Sequence, residues 1–178
     1  MESTNNSEQY SFLKDAGQMG TLTGQYDWSK TSVGTPDQWP LSLRTLMRMM
    51  LTSRFPMLIF WNKDLITFYN DAFRPSLREN GKHPSSLGQR GEESWAESWP
   101  TIGPMIHDIM AGGKGVFIED QKLPIYRDGQ MGYAYWTYSF SPLTDDSGAV
   151  NGVLVTCLET TEAVEHLNQL KQANIQPH

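Results

Sequence analysis

The sequence predicts an α+β fold, a five-stranded antiparallel sheet with flanking helices. Three observations predict it. Two short β-type runs meet at a tight polar turn at residues 62–64, three more follow from residue 115, and the stretch between them carries helical rather than alternating spacing. The links between successive strands are short and polar. Such links join antiparallel neighbours, whereas parallel strands need a crossover of about a dozen residues or more, so the plan is not βαβ.

Residues 1–16 read as a flexible leader. Residues 19–39, rich in Gly, Ser, Thr, Asp and Pro, read as an irregular cap fastened to the body by burial of Trp28 and Trp39. From Leu43 the apolar residues fall at 43, 46, 47, 50 and 51, one face of a helix, and Pro40 sits where helices commonly start. Residues 55–61 and 65–69 read as a hairpin around Asn62-Lys63-Asp64. At Asn70-Asp71 the β-type run stops abruptly, and either side chain can accept a hydrogen bond from the free amides of a new first turn.

Between Asp71 and Trp99, Pro75, Gly81, Pro84, Gly88 and Gly91 allow only short helical pieces, a region able to shape a pocket wall. Ile102, Met105, Ile106, Ile109 and Met110 restore helical spacing, with Gly112-Gly113 as a stop. Residues 115–123, 133–143 and 150–158 complete the sheet as a meander, turning at Arg127-Asp128-Gly129 and at residues 145–148. Thr160 or Thr161 can then cap a terminal helix, with Glu162 near its positive end. In that helix Ala163, Leu167, Leu170 and Asn174 follow at the alternating four and three spacing of a coiled-coil seam. About two heptads do not hold a dimer unaided, so the seam either continues in a longer chain or is a surface helix packing on its own domain.

Composition narrows the function. A net charge of -6 without a Lys/Arg block argues against a nucleic-acid partner, whose phosphates demand clustered cations. The longest apolar run, residues 57–61, is far short of the roughly 18 residues of a membrane span, and the amino terminus lacks the order of a secretory signal. Cytoplasmic residence is the default. Cys157 has no disulfide partner, and the four histidines show no metal-ligand spacing with it, so no metal is expected.

Several local phrases carry a family resemblance. Gly17-Gln18-Met19-Gly20, Asp27-Trp28-Ser29, Trp39-Pro40-x-Ser42-Leu43, Ser53-Arg54-Phe55-Pro56-Met57, Tyr69-Asn70-Asp71-Ala72-Phe73 and Lys82-His83-Pro84-x-x-Leu87-Gly88 occur in the order found in the amino-terminal PAS domains of bacterial sensor histidine kinases, which this chain resembles over residues 17–160. The resemblance implies a domain that senses or relays rather than catalyses, with its amino-terminal cap inside residues 17–160 and a signalling helix starting in residues 161–178. It also implies a homodimer, a downstream kinase or other output domain, and transmission through Glu159, Thr160 and Thr161, where family members carry an acidic residue and threonine.

The chemical alternatives are weaker. A haem would need His107 on the apolar side of its helix, but the apolar centre at Ile102, Ile106 and Ile109 turns it towards the polar side. Flavin photochemistry of the family kind uses an Asn-Cys-Arg-Phe phrase that is absent, and Cys157 reads as a buried thiol of the last strand that could also line a cavity. His166 lacks the acidic and proline signals of a phosphoacceptor. The pairs Glu92-Glu93, Glu119-Asp120 and Asp145-Asp146 point apart, so no catalytic residue is assigned.

What remains is an interior lined from Phe60, Tyr69, Met105, Ile109, Phe117, Trp136 and Val155, with Tyr138 and either Tyr135 or Trp136 according to register. It would take a small apolar or aromatic ligand, unless a protein partner brings the signal. Simple core filling explains the same residues. The rival readings are therefore a ligand-free structural dimerisation module and, behind it, a small α+β enzyme.

Overall fold

The computed structural model describes residues 10–175, apart from the side chains of residues 79 and 80. Five strands, β1 (Met57–Trp61), β2 (Ile66–Tyr69), β3 (Val116–Arg127), β4 (Gln130–Thr144) and β5 (Val150–Glu159), form one antiparallel sheet in the order β2-β1-β5-β4-β3. The helices are α1 (Gly17–Gln25), α2 (Leu41–Thr52), α3 (Arg74–Leu77), α4 (Gly91–Ser94), α5 (Trp99–Met110) and α6 (Thr161–Ile175). This is the predicted α+β plan. The pairing of Leu58 with Val155 brings the first strand against the last and closes the sheet around its centre.

Each face of the sheet has its own cover. On one, Trp28 stacks on Phe68 at 4.6 Å between ring centroids, and Trp39 meets the same ring edge-on at 5.5 Å. Both indoles are buried with their N–H groups satisfied, donating to the carbonyls of Thr23 and Gly34. The other face carries α3, α4 and α5 as a helical wall.

Asn70 makes the corner between strand and wall. It is fully buried; its Oδ1 accepts from the amides of Phe73 (3.0 Å) and Met57 (3.2 Å), while Nδ2 donates to the carbonyls of Met50, Ser53 and Phe55. One side chain thus fastens the end of α2, the start of β1 and the turn into α3. Neighbouring Asp71 caps a different helix, its carboxylate taking the Gln18 amide at 2.9 Å and the Met19 amide at 2.7 Å.

That bond explains one departure from expectation. The cap is not irregular throughout: residues 17–25 form α1, whose first turn is held from a distance by Asp71. The leader differs too. Residues 11–13 form a 3₁₀ turn, and Leu13 and Ala16 are buried in the core, because the small Gly20 leaves room for close approach to Ala16. The remainder of the expected leader, residues 1–9, lies outside the described residues, as do residues 176–178. The β3–β4 hairpin also runs further than expected, to an Arg127–Gln130 pair closed by Asp128 (φ 56°) and Gly129 (φ 74°). Two successive left-handed residues make the type I′ turn that matches strand twist.

Candidate functional site

Between the sheet and the helical wall lies a cavity of about 60 Å³. Of the seven expected lining residues, Phe60, Trp136 and Val155 line it. The others lie elsewhere. Phe117 is 64% exposed, because it pairs with Ser139 on the outward row of β3 while its neighbours Val116 and Ile118 face inward and are half-buried. Tyr69 and Ile109 are buried but lie outside the lining, as does half-buried Met105. On α5 the residue that reaches the cavity is Ile102, one to two turns nearer the helix start. Tyr69 turns instead to the wall, its hydroxyl 2.7 Å from His83 Nδ1 and its ring edge-on to Phe73. Burial raises the Tyr69 hydroxyl above the ordinary tyrosine range, and burial with the charge of Arg74 lowers His83. A neutral His83 accepting from Tyr69 fits both directions.

The register settles which residue of the Tyr135/Trp136 pair faces inward. Trp136 does, and so do Tyr138, Phe140 and Cys157. From the wall come Phe73, Trp95 and Ser98. Trp95 and Ser98 were not anticipated, since they sit in the punctuated stretch before α5, where no periodicity marks an inward face. Burial pushes the Cys157 thiol up to about 12. The volume is small beside an engineered cavity of about 150 Å³ that takes benzene.

His107 is exposed on the polar side of α5. Among the described residues, no group of three or more His, Cys, Asp or Glu side chains is placed to hold a metal ion, and no helix is long and apolar enough to cross a membrane.

The second feature is the root of α6. Arg127, at the end of β3, makes a bidentate pair with Glu159 at 2.6 and 2.9 Å and also donates to the Ser76 carbonyl of α3 at 3.2 Å. Burial pushes the Glu159 carboxyl up, but hydrogen bonds from Arg127 and Thr161 more than reverse this and leave it below its ordinary value. The Thr161 hydroxyl donates to Glu159 and accepts from the Tyr135 amide, while the Thr160 amide donates to the Tyr135 carbonyl at 2.7 Å. The three expected transmission residues are thus brought together at one joint. Beyond it, no residue of α6 is buried, and Leu167 and Leu170 are each about half exposed. The first turn of the helix lies against β4, with Thr161 and Val164 half-buried, and beyond it the helix is exposed.

Residues 56–165 match the family model of the PAS fold. No curated protein matches the chain. Among solved structures, an RNA-binding Light-Oxygen-Voltage receptor is similar with a TM-score of 0.53 and 22% identity, over 79% of this chain and 39% of that one. The phage VqmA–DPO complex is similar with a TM-score of 0.52 and 18% identity, over 76% and 60%. A sensory box sensor histidine kinase from Vibrio cholerae is similar with a TM-score of 0.43 and 18% identity, over 59% and 77%. The chain spans less than half of the first of these proteins.

Proposed function

This chain belongs to the PAS family, and from that premise we propose that it is a cytoplasmic signal-sensing or signal-relay domain of a bacterial two-component sensor histidine kinase. It catalyses nothing itself, carries neither haem nor flavin, acts as a homodimer and passes its state through α6 to a downstream kinase or other output domain. The family phrases around Asn70 and in the cap support the kinase setting.

The observation that carries the reading is the joint at Glu159-Thr160-Thr161. A helix that is exposed beyond its first turn, yet is fixed at that turn to β4 and through Glu159 and Arg127 to the helical wall, follows a shift between sheet and wall. A signal that favours one arrangement of sheet and wall then biases the angle or register of the helix pair. The exposed Leu167 and Leu170 supply the apolar seam for a second copy.

The test fuses the chain through α6, in heptad register, to an autophosphorylating histidine-kinase core. Insertions of one to seven residues at the fusion point should change autophosphorylation with the period of a helix, and a flexible Gly-Ser insertion after Thr161 should abolish the dependence. Activity indifferent to both would refute the relay. The nearly filled interior favours, as second reading, a ligand-free dimerisation module, in which the fused protein stays dimeric and responds to no stimulus.

A further inference from the structure

A second opening lies on the outside of the domain, where the cap meets the helical wall. Gln18 of α1, Asp71 of the corner, Arg74, Pro75 and Arg78 in and just after α3, and His83 line a cleft of about 390 Å³. Small-molecule sites usually measure about 300–1,000 Å³. The acceptors in this lining are committed. Asp71 accepts from the amides of Gln18 (2.9 Å) and Met19 (2.7 Å), and Gln18 Oε1 accepts from Arg74 Nη1. The donors are not. Arg74 carries five N–H groups, yet that neutral amide oxygen is its one side-chain partner among the described residues, and no described carboxylate stands within ion-pair distance of it. Arg78 meets Asp128 in a pair whose side chains are both about half exposed. His83, with Nδ1 accepting from Tyr69, carries its proton on Nε2, which has no partner among the described residues. The charge has the same sign: burial is the larger reason that His83 lies below the ordinary histidine range, and Arg74 lowers it by more than Asp71 raises it.

We propose that this cleft is a binding site for the carboxylate of a small organic acid, held by Arg74, Arg78 and the His83 imidazole. Uncommitted donors around one opening call for a group that only accepts, and the guanidinium fork matches the two oxygens of a carboxylate. Charge selects among the oxyanions. The lining sums to one positive charge, two guanidiniums against Asp71, so a monoanion balances it and the second charge of sulfate does not. Pro75 and the aliphatic stems of the arginines give the hydrocarbon part of the acid a surface. The cleft also stands close to the relay. Ser76, between the two arginines in the chain, accepts from Arg127 at 3.2 Å, and Asp128, the partner of Arg78, is the residue after Arg127. A carboxylate that draws Arg78 from Asp128 therefore acts on the wall side of the Arg127–Glu159 joint, a consequence that rests on the sensor reading proposed above.

The test titrates the full ¹⁵N-labelled chain with propionate, at constant ionic strength set by chloride, and in parallel with propionamide, which keeps the shape and loses the charge. Propionate should move the backbone amides of α3 saturably and propionamide should not. Arg74→Gln should weaken propionate about tenfold or more, and Arg78→Gln, whose guanidinium is already shared with Asp128, about two- to tenfold. Arg54→Gln, which removes an exposed cation outside the cleft, should leave the affinity unchanged. Amides far from the cleft report whether each variant keeps the fold, and Arg78→Gln, an exposed position, carries the test if Arg74→Gln does not. Equal binding of the two probes, sulfate bound more tightly than propionate, parental affinity in Arg78→Gln, or an equal loss in Arg54→Gln would each overturn the proposal. The kinase fusion separates the two claims. Saturable propionate binding with unchanged autophosphorylation keeps the site and removes its signalling role, whereas insertion-dependent autophosphorylation without propionate binding keeps the relay and removes the site.

Discussion

Replacing Asn70 by alanine should be among the most damaging single truncations in the chain. Five hydrogen bonds end on that side chain, but not all of their partners would be stranded. The Phe73 amide also donates to the Asn70 backbone carbonyl, which survives the change, and the Met50 carbonyl also accepts from Ser53. That leaves the Met57 amide and the carbonyls of Ser53 and Phe55 to lose a partner. The two carbonyls sit in a stretch open enough to recruit water, since Phe55 is 43% exposed. One fully stranded group and two partly compensated ones, at about 1–3 kcal/mol for a fully buried loss, give about 3–5 kcal/mol. Against a typical total of about 5–15 kcal/mol this is a large share. Urea unfolding followed by circular dichroism should show the midpoint falling with little change in slope. Asn70→Asp separates hydrogen bonding from volume, because it keeps the shape and the acceptor while pointing a second acceptor at carbonyls that need a donor. It should be at least as harmful as alanine. A loss below about 1 kcal/mol for alanine, or a neutral Asp, would refute the assignment of Asn70 as the corner fastener.

Three further changes test other parts of the molecule. Glu159→Gln breaks the pair with Arg127, whose side chains are 10% and 21% exposed, and should cost about 1–3 kcal/mol after allowance for that exposure. Because the folded carboxyl lies below its ordinary 4.5, its contribution is complete above that pH and is lost as pH falls through the folded value. Unfolding curves across this acid range should therefore be flatter in pH for the variant than for the parent. Asp71→Ala removes the carboxylate from two amides of α1 and should cost about 1–2 kcal/mol, with faster hydrogen exchange in residues 17–25 and unchanged exchange in β4 and β5. Cys157, buried and with its thiol pushed up to about 12, should react with a thiol reagent at pH about 8 only as fast as the chain opens; rapid labelling of the native protein would contradict its place in the core.

The strand-to-helix corner was legible because its signal is local: a β-type run, then a residue whose side chain can take both amides and carbonyls. The meander was legible for the same reason, since Asp128-Gly129 and residues 145–148 carry their own turn chemistry. What escaped the sequence was set at long range. The Gly-Gln-Met-Gly-Thr stretch of α1 has no apolar periodicity, and the carboxylate that caps it lies more than fifty residues away. Phe117 was misplaced because Val116, Phe117 and Ile118 are all apolar, so alternation had no phase until pairing with β4 supplied one. Trp95 escaped because neither helical nor strand spacing governs the short pieces before α5.

Consecutive residues of β4 link the interior to the helix root. Trp136 points into the cavity and stands directly opposite Glu159, while Tyr135, on the other face, bonds Thr160 and Thr161 through its backbone. Arg127 offers a competing route, since it holds Glu159 and the Ser76 carbonyl of the wall together. The two bonds are unequal: the bidentate, charge-assisted contact to Glu159 is shorter and stronger than the single 3.2 Å bond to a neutral carbonyl. A shift of wall against sheet would break the Ser76 bond first and leave Arg127 with Glu159. In the proposed relay the root of α6 therefore travels with β4 and β5, and what the helix reports is the position of the sheet relative to the wall.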